Sequence, residues 1–357
     1  MKINHQHYRS IWRDAQSVRI IDQTRLPFAF AVERLHTHEQ MCHAIRSMQV
    51  RGAPLIGAAA AYGMVLGCQQ QADEQTLQNV AAQLLATRPT AVNLAWALQR
   101  MLQQLLALPL EQRAQVAWAL ALAIADEDVA QNQAIGQHGL ALIQPLATAH
   151  PQRAVNILTH CNAGWLATVD GGTALAPIYA AHDAGLSVHV WVDETRPRNQ
   201  GASLTAWELA QHGVPHTVIS DNAGGHLMQH GQVDMVIVGA DRVTRNGDVC
   251  NKIGTYLKAL AAHDQHIPFY TAVPTPTIDW QLAEGAGIAI EMRDADEVAY
   301  MQGQDDQGQL QRLRVIPHES PALNPAFDVT PARLVSGLIT ERGIVTPQQL
   351  PTLEASL

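Results

Sequence analysis

Val233-Asp234-Met235-Val236-Ile237-Val238 runs straight into Gly239-Ala240-Asp241-Arg242. A strand buried on both faces of a parallel sheet is a nearly unbroken apolar run, and this segment fits, with a polar turn at its end. Four further apolar runs, at 154–158, 187–192, 216–219 and 268–272, are separated from it and from one another by segments of helical composition. Strand and helix in alternation predict a parallel, doubly wound sheet. Residues 149–357 are therefore assigned to a Rossmann-like domain.

Upstream the pattern is different. Two short β-like runs, 17–22 and 28–32, flank a polar segment ending in Pro27, and predict a small antiparallel sheet. Leu77, Val80, Ala81, Leu84 and Leu85, then Leu94, Leu98, Met101, Leu102 and Leu105, recur at helical spacing. Another helical stretch runs from Glu111 toward Leu142, and the pattern breaks between Pro145 and Pro151. The fold class is α/β: a smaller N-terminal domain, residues 1–148, of a short antiparallel sheet plus a helical bundle, and then the parallel sheet. In the tail, Gln302–Gly308 is expected to be an exposed loop and Leu334–Leu338 part of a final apolar helix.

Bulk properties narrow the function. The 357 residues exceed the roughly 250 to 300 at which single cores stop growing, which favours two domains. A formal charge of −9 gives no overall basic field for nucleic acid or an anionic membrane, so an anionic substrate needs local arginines, lysines and backbone N–H groups. No apolar run is long enough to span a bilayer, and Met1–His7 lacks the pattern of a signal peptide, so a cytoplasmic location is expected. Cys42, Cys68, Cys161 and Cys250 show no C-x-x-C spacing and the 17 histidines no H-E-x-x-H, so neither a metal site nor a disulfide framework is expected. Neither G-x-G-x-x-G nor G-x-x-x-x-G-K-[ST] is present, and a Rossmann-like sheet need not bind a dinucleotide.

Chemistry collects at the strand ends. The turns are Thr159-His160-Cys161-Asn162-Ala163-Gly164, Asp193–Gln200, Ser220-Asp221-Asn222, Gly239-Ala240-Asp241-Arg242 and Val273–Thr277. In a parallel sheet all of them lie on one edge, so a thiol, carboxylates, amides and arginines converge without being close in sequence. In the first half, Arg51-Gly52-Ala53-Pro54 leads into a small-residue helix from Leu55 to Leu66, whose first N–H groups are open to an anion. Arg88-Pro89-Thr90 repeats an arginine just ahead of a helix. The structural alternatives are a glycine turn that lets helices pack, an inert buried cysteine, and an Asp241–Arg242 ion pair at a sheet edge.

Together, Arg51–Pro54, Arg88–Thr90, Thr159–Gly164, Asp193–Pro197 with Asn199-Gln200-Gly201, Gly239–Arg242, Asn251–Thr255 and Asp328–Pro331 resemble the methylthioribose-1-phosphate isomerase family, which also holds the regulatory subunits of the translation initiation factor exchange complex. The resemblance implies an aldose–ketose isomerase of methionine salvage, an intramolecular oxidoreductase that converts 5-methylthioribose 1-phosphate to 5-methylthioribulose 1-phosphate as a homodimer, without cofactor or metal. It implies Cys161 and Asp241 as the catalytic pair, and Arg51, Gly52, Ala53, Arg88, Gln200, Asn251 and Lys252 as substrate contacts. Relatives often carry an aromatic residue where this chain has Gly171.

A phosphate on C1 locks the sugar ring, so ring opening comes first, and a carboxylic acid at Asp241 could protonate the departing ring oxygen. That role needs burial or negative neighbours to raise its pKa. Transfer between C1 and C2 then runs through an enolate, with Cys161 as thiolate base, or by hydride shift in a dry pocket. Lys252, expected at a helix start, would hold phosphate as a point charge. Two alternatives remain: an isomerase of another sugar 1-phosphate such as ribose 1,5-bisphosphate, and a non-catalytic regulatory subunit.

Overall fold

The computed structural model describes residues 1–3 and 6–355. All five apolar runs form strands: β1 (Val155–Thr159), β2 (Val188–Asp193), β3 (His216–Ile219), β4 (Met235–Val238) and β5 (Phe269–Ala272), mutually parallel where they pair. Beside β5 lies the parallel β6 (Gly337–Thr340), and antiparallel β7 (Gly343–Val345) closes that edge. The order across the seven-stranded sheet is β7-β6-β5-β4-β1-β2-β3. The chain thus starts in the middle and winds outward in both directions, the doubly wound arrangement.

Nine helices concern the site: α1 (His38–Arg46), α2 (Ala53–Gln70), α3 (Glu74–Leu85), α4 (Val92–Leu106), α5 (Leu110–Ala149), α6 (Ala176–Asp183), α7 (Ala206–His212), α8 (Ala223–Gln229) and α9 (Thr255–Asp264). Helix α1 starts at a capping box formed by Thr37 and Gln40, and Asp73 caps α3 by accepting from Thr76 N. Helix α2 is buried along almost its whole length, and its run of alanines lets neighbouring helices pack close to its axis. Alternate residues of β1 and β4 face opposite layers. Ile157, Met235 and Ile237 join a cluster with α5, α6 and α7, whereas Leu158, Val236 and Val238 join one with α8 and α9. A third cluster unites α1–α5 with the antiparallel strands Ile11–Asp14, Ser17–Ile21 and Val32–Leu35.

Several expectations need correction. The strand expected at 28–32 spans Val32–Leu35 instead, and a further strand, Ile11–Asp14, joins the sheet on the other side of Ser17–Ile21. Helix α5 continues through Pro145 to Ala149; near a helix end a proline forfeits a single i to i−4 bond, and the apolar contacts of Ile143, Leu146 and Ala147 hold the turn. Gln302–Gly308 belongs largely to a hairpin, Tyr300–Gln304 paired with Leu310–Arg314, whose turn Asp305 organises by accepting from Gln307 N and Gln309 N. The final apolar segment is a 3₁₀ turn, Ala332–Leu334, followed by the buried strand β6; periodicity cannot separate a short apolar run in a strand from one in a helix. Lys252 ends a strand, Val249–Lys252, and α9 begins three residues later.

Candidate active site

β1 and β4 are hydrogen-bonded neighbours, and the chain leaves them in opposite directions across the sheet. Their carboxyl ends flank the crevice where an open α/β sheet places its ligand. Thr159 Oγ1 donates to Ile237 O at 2.8 Å and holds the two ends together. Cys161 follows β1 and Asp241 follows β4. Both line one small pocket of about 30 Å³ with Arg51, Gly52, Ala53 and Asn251. Ala163, Ala167, Ala240, Ala272 and Val273 give it small apolar walls, and Asn162, Thr173 and Thr277 add polar ones.

The Cys161 turn is strained and tightly held. Cys161 has φ +68°, a left-handed conformation unusual for a residue with a Cβ. Its N–H donates to Thr195 Oγ1 at 2.8 Å, and its carbonyl accepts from Thr205 Oγ1 at 2.7 Å. Thr195, itself at φ +67°, and Arg196 donate their N–H groups to the Asp221 carboxylate, each at 2.7 Å. The Asp193–Gln200 loop is thereby ordered, and it ends in a π-helical turn, Gly201–Thr205, that feeds α7.

Arg51 comes from the loop between α1 and α2. Its guanidinium donates to Asn162 Oδ1 at 2.5 Å and to Asn162 O at 2.9 Å, which ties the N-terminal half to the Cys161 turn. Arg51 also lines a larger cleft of about 480 Å³, shared with Gln200, Arg198, Tyr300 and Arg312. Gln200 is buried, and its Oε1 has no hydrogen-bond partner among the described residues. Arg88 borders a third small pocket with Ala53 and Asp241, and its Nη2 lies 3.2 Å from Glu291. Lys252 is buried, donating to Ala326 O at 3.0 Å with its ammonium 4.7 Å from the Phe327 ring centroid.

Burial pushes the Cys161 thiol up, and Asp241 adds to this against the pull of Arg51 and Lys252. Asp241 keeps some exposure to its pocket, yet burial raises its carboxyl above the ordinary range despite Lys252, Arg88 and Arg51; Glu291 pushes the same way. The site therefore favours a neutral thiol and a carboxyl that retains its proton more readily than a free one. Burial lowers Lys252, which Cys161 and Asp241 oppose.

Arg242 pairs with Asp279 at 3.2 Å instead of with Asp241, which removes the ion-pair alternative. Gly171 sits at φ +86°, a conformation that disfavours an aromatic side chain there. His160, Asp193 and Asp221 could supply three metal ligands, but the Lys258 ammonium stands 3.2 Å from Asp193 Oδ2 and donates to Asp221 O, so this cluster already contains a cation. His160 bridges Asp193 Oδ2 and Ile253 O, each at 2.8 Å, behind the turn. Sequence reasoning missed Thr205, Glu208, Lys258 and Glu291, which belong to no local motif; the partners that tie them to the site, Cys161, Asn162, Asp193 and Arg88, lie far away in the chain.

The family model described as the initiation factor 2 subunit family matches residues 49–347. A methylthioribose-1-phosphate isomerase from Acidiphilium cryptum (strain JF-5) is 64% identical, over 96% of this chain and 94% of that protein. One from Gluconobacter oxydans (strain 621H) is 62% identical, over 96% and 95%. The crystal structure of 5-methylthioribose 1-phosphate isomerase from Pyrococcus horikoshii OT3 superposes with a TM-score of 0.84 at 40% identity, covering 99% of this chain and 97% of that one. That of the translation initiation factor eIF-2B, subunit delta, from A. fulgidus gives 0.80 at 39%, covering 96% and 97%. With the fold, the switch-point crevice and these relatives in agreement, the chain belongs to the initiation factor 2 subunit family.

Proposed function

We propose that the protein is an aldose–ketose isomerase, an intramolecular oxidoreductase that converts 5-methylthioribose 1-phosphate to 5-methylthioribulose 1-phosphate in methionine salvage. The observation that carries this reading is the meeting of Cys161 and Asp241 in one pocket at the switch point, with Arg51 between that pocket and a larger cleft. The 62–64% identical relatives named for this reaction support it. A thiol together with a proton-holding carboxyl is more than a binding module requires, which weighs against a purely regulatory subunit.

In this reading Asp241 gives its proton to the ring oxygen as the C1–O bond breaks. The C2 hydrogen then moves with its electron pair to C1, and the proton on the C2 oxygen returns to the Asp241 carboxylate, leaving a ketone at C2. The upward shift at Cys161 disfavours a resting thiolate, which supports hydride shift over an enolate. Arg51, Arg88, Lys252 and the open N–H groups of α2, which has no side-chain cap at Gly52, would bind the phosphate, with Gly52 and Ala53 in contact. Asn251 would hold a sugar hydroxyl. A pentose phosphate exceeds the small pocket, so the substrate extends past Arg51 and Gln200 into the larger cleft.

We further propose a division of labour at 148/149, the first part contributing Arg51 and Arg88 and the second the reacting pair, in a cytoplasmic homodimer. Sedimentation of the purified protein checks the dimer. The decisive experiment is turnover of methylthioribose 1-phosphate in D₂O, followed by NMR. Ketose formation without deuterium at C1 is expected. Absence of turnover, or faster turnover of ribose 1,5-bisphosphate, would overturn the substrate assignment, and deuterium at C1 the hydride route.

A further inference from the structure

The mechanism makes no use of Glu208, a carboxyl with no exposure to solvent. It lies on α7, and its two oxygens face different donors: Oε1 accepts from Asn162 Nδ2, and Oε2 accepts from Leu166 N at 3.3 Å. Asn162 Nδ2 also reaches Thr205 Oγ1 at 3.2 Å. On its other side the amide oxygen of Asn162 receives Arg51.

An amide has one accepting end and one donating end, and the wrong orientation would set an NH₂ group against the Arg51 guanidinium. Glu208 accepts and so fixes which way the amide points. The backbone follows: a Cβ on Gly164 would stand 1.8 Å from Glu208 Oε1, so the turn lies directly on this carboxyl. Burial raises Glu208 to about 8, while the Leu166 and Trp165 N–H groups, Asn162 and Arg51 all favour its charged form.

We infer that Glu208 is a positioning residue for substrate binding: through the Asn162 amide it aims Arg51 at the anionic group of the substrate. The inference rests on Arg51 being a substrate contact. A guanidinium already bonded twice to Asn162 has little freedom left, so it meets the anion without losing further side-chain entropy.

The test is a kinetic cycle on the full chain with Glu208→Gln, Arg51→Met and the double variant, run at a pH above about 8 where the Glu208 carboxyl is ionised and accepts at both oxygens. Glutamine has one acceptor and one donor where both neighbours donate, so one of the two bonds fails in either orientation. Glu208→Gln is expected to raise KM about tenfold with kcat within about threefold, because an interaction that acts on binding alone leaves kcat in place. In the Arg51→Met background the same change should alter KM by less than about twofold. An unchanged KM in Glu208→Gln, or an undiminished tenfold effect without Arg51, overturns the inference. If Arg51→Met itself leaves KM unchanged, the substrate-contact reading of Arg51 fails first, and that result is distinguishable. Should Glu208→Gln not fold, Asn162→Ala interrupts the same chain at its middle and carries the same expectation, both alone and with Arg51→Met.

Discussion

Cys68 and Cys161 are both buried thiols pushed up by their surroundings, one near the end of α2 and the other at the sheet edge. Cys68 lies in regular helix, and burial takes it to about 12, with Arg113 the one charge drawing it down. Cys161 stands at positive φ, with Arg51, Lys252 and Asp241 acting on it from three separate segments. Burial is common to both, so burial does not tell them apart. The distinguishing signs are a backbone held in an uncommon conformation and charges brought together by the fold.

The comparison breaks most sharply at the pair itself. Asp241→Asn is expected to lower kcat by about 10²- to 10⁴-fold while the protein stays folded, and Cys161→Ser, which in the hydride route loses an apolar wall of the pocket instead of a proton carrier, by about tenfold, both measured by steady-state turnover. If both retain normal turnover, Cys161 is no more special than Cys68. Next in size, Arg51→Met should raise KM for methylthioribose 1-phosphate by roughly 10- to 100-fold, the value of a charge-assisted hydrogen bond.

A smaller effect concerns pH and stability. Asp128, buried beneath Val169 N and Asn132, has its carboxyl raised to about 7 by burial. The folded state therefore binds more protons than the unfolded state between about 4 and 7. This group's stabilising contribution is fully present below its unfolded pKa and declines as pH rises through that window. Asp128→Asn should flatten the fall in melting temperature over that range, at up to about 1.4 kcal/mol per pH unit for one group. A variant with the wild-type pH profile would remove Asp128 as the source. Smallest of all, Cys68→Ala should leave kcat and KM within about twofold and lower stability by about 1–2 kcal/mol, measured by urea unfolding. A large loss of turnover there would erase the contrast between the two thiols.

Much of this architecture was legible because strand and helix have different periods. The runs at 154–158 and 233–238 announced β1 and β4, and the turns after them carry the proposed pair. Pro145 misled because a proline signals a break locally, whereas tertiary contacts decide whether the helix continues past it. The tail misled because Leu334–Leu338 is too short for its period to be resolved, and Gln302–Gly308 looked like a loop although cross-strand pairing fixes it as a hairpin. Glu208 was illegible for another reason: one glutamate on a seven-residue helix acquires meaning only from Asn162 and Gly164, more than forty positions earlier.

One contact bears on how such a site could be rebuilt. A Cβ on Gly239 would approach the Cβ of Ala163 to 2.6 Å, so the turns carrying Asp241 and Cys161 rest against each other almost without side chains between them. The spacing of Cys161 and Asp241 is consequently gauged by main chain and not by rotamers. A designer could enlarge the outer cleft to admit another sugar phosphate, but widening this seam by even one methyl group would shift acid and thiol together, making it the least editable dimension of the molecule.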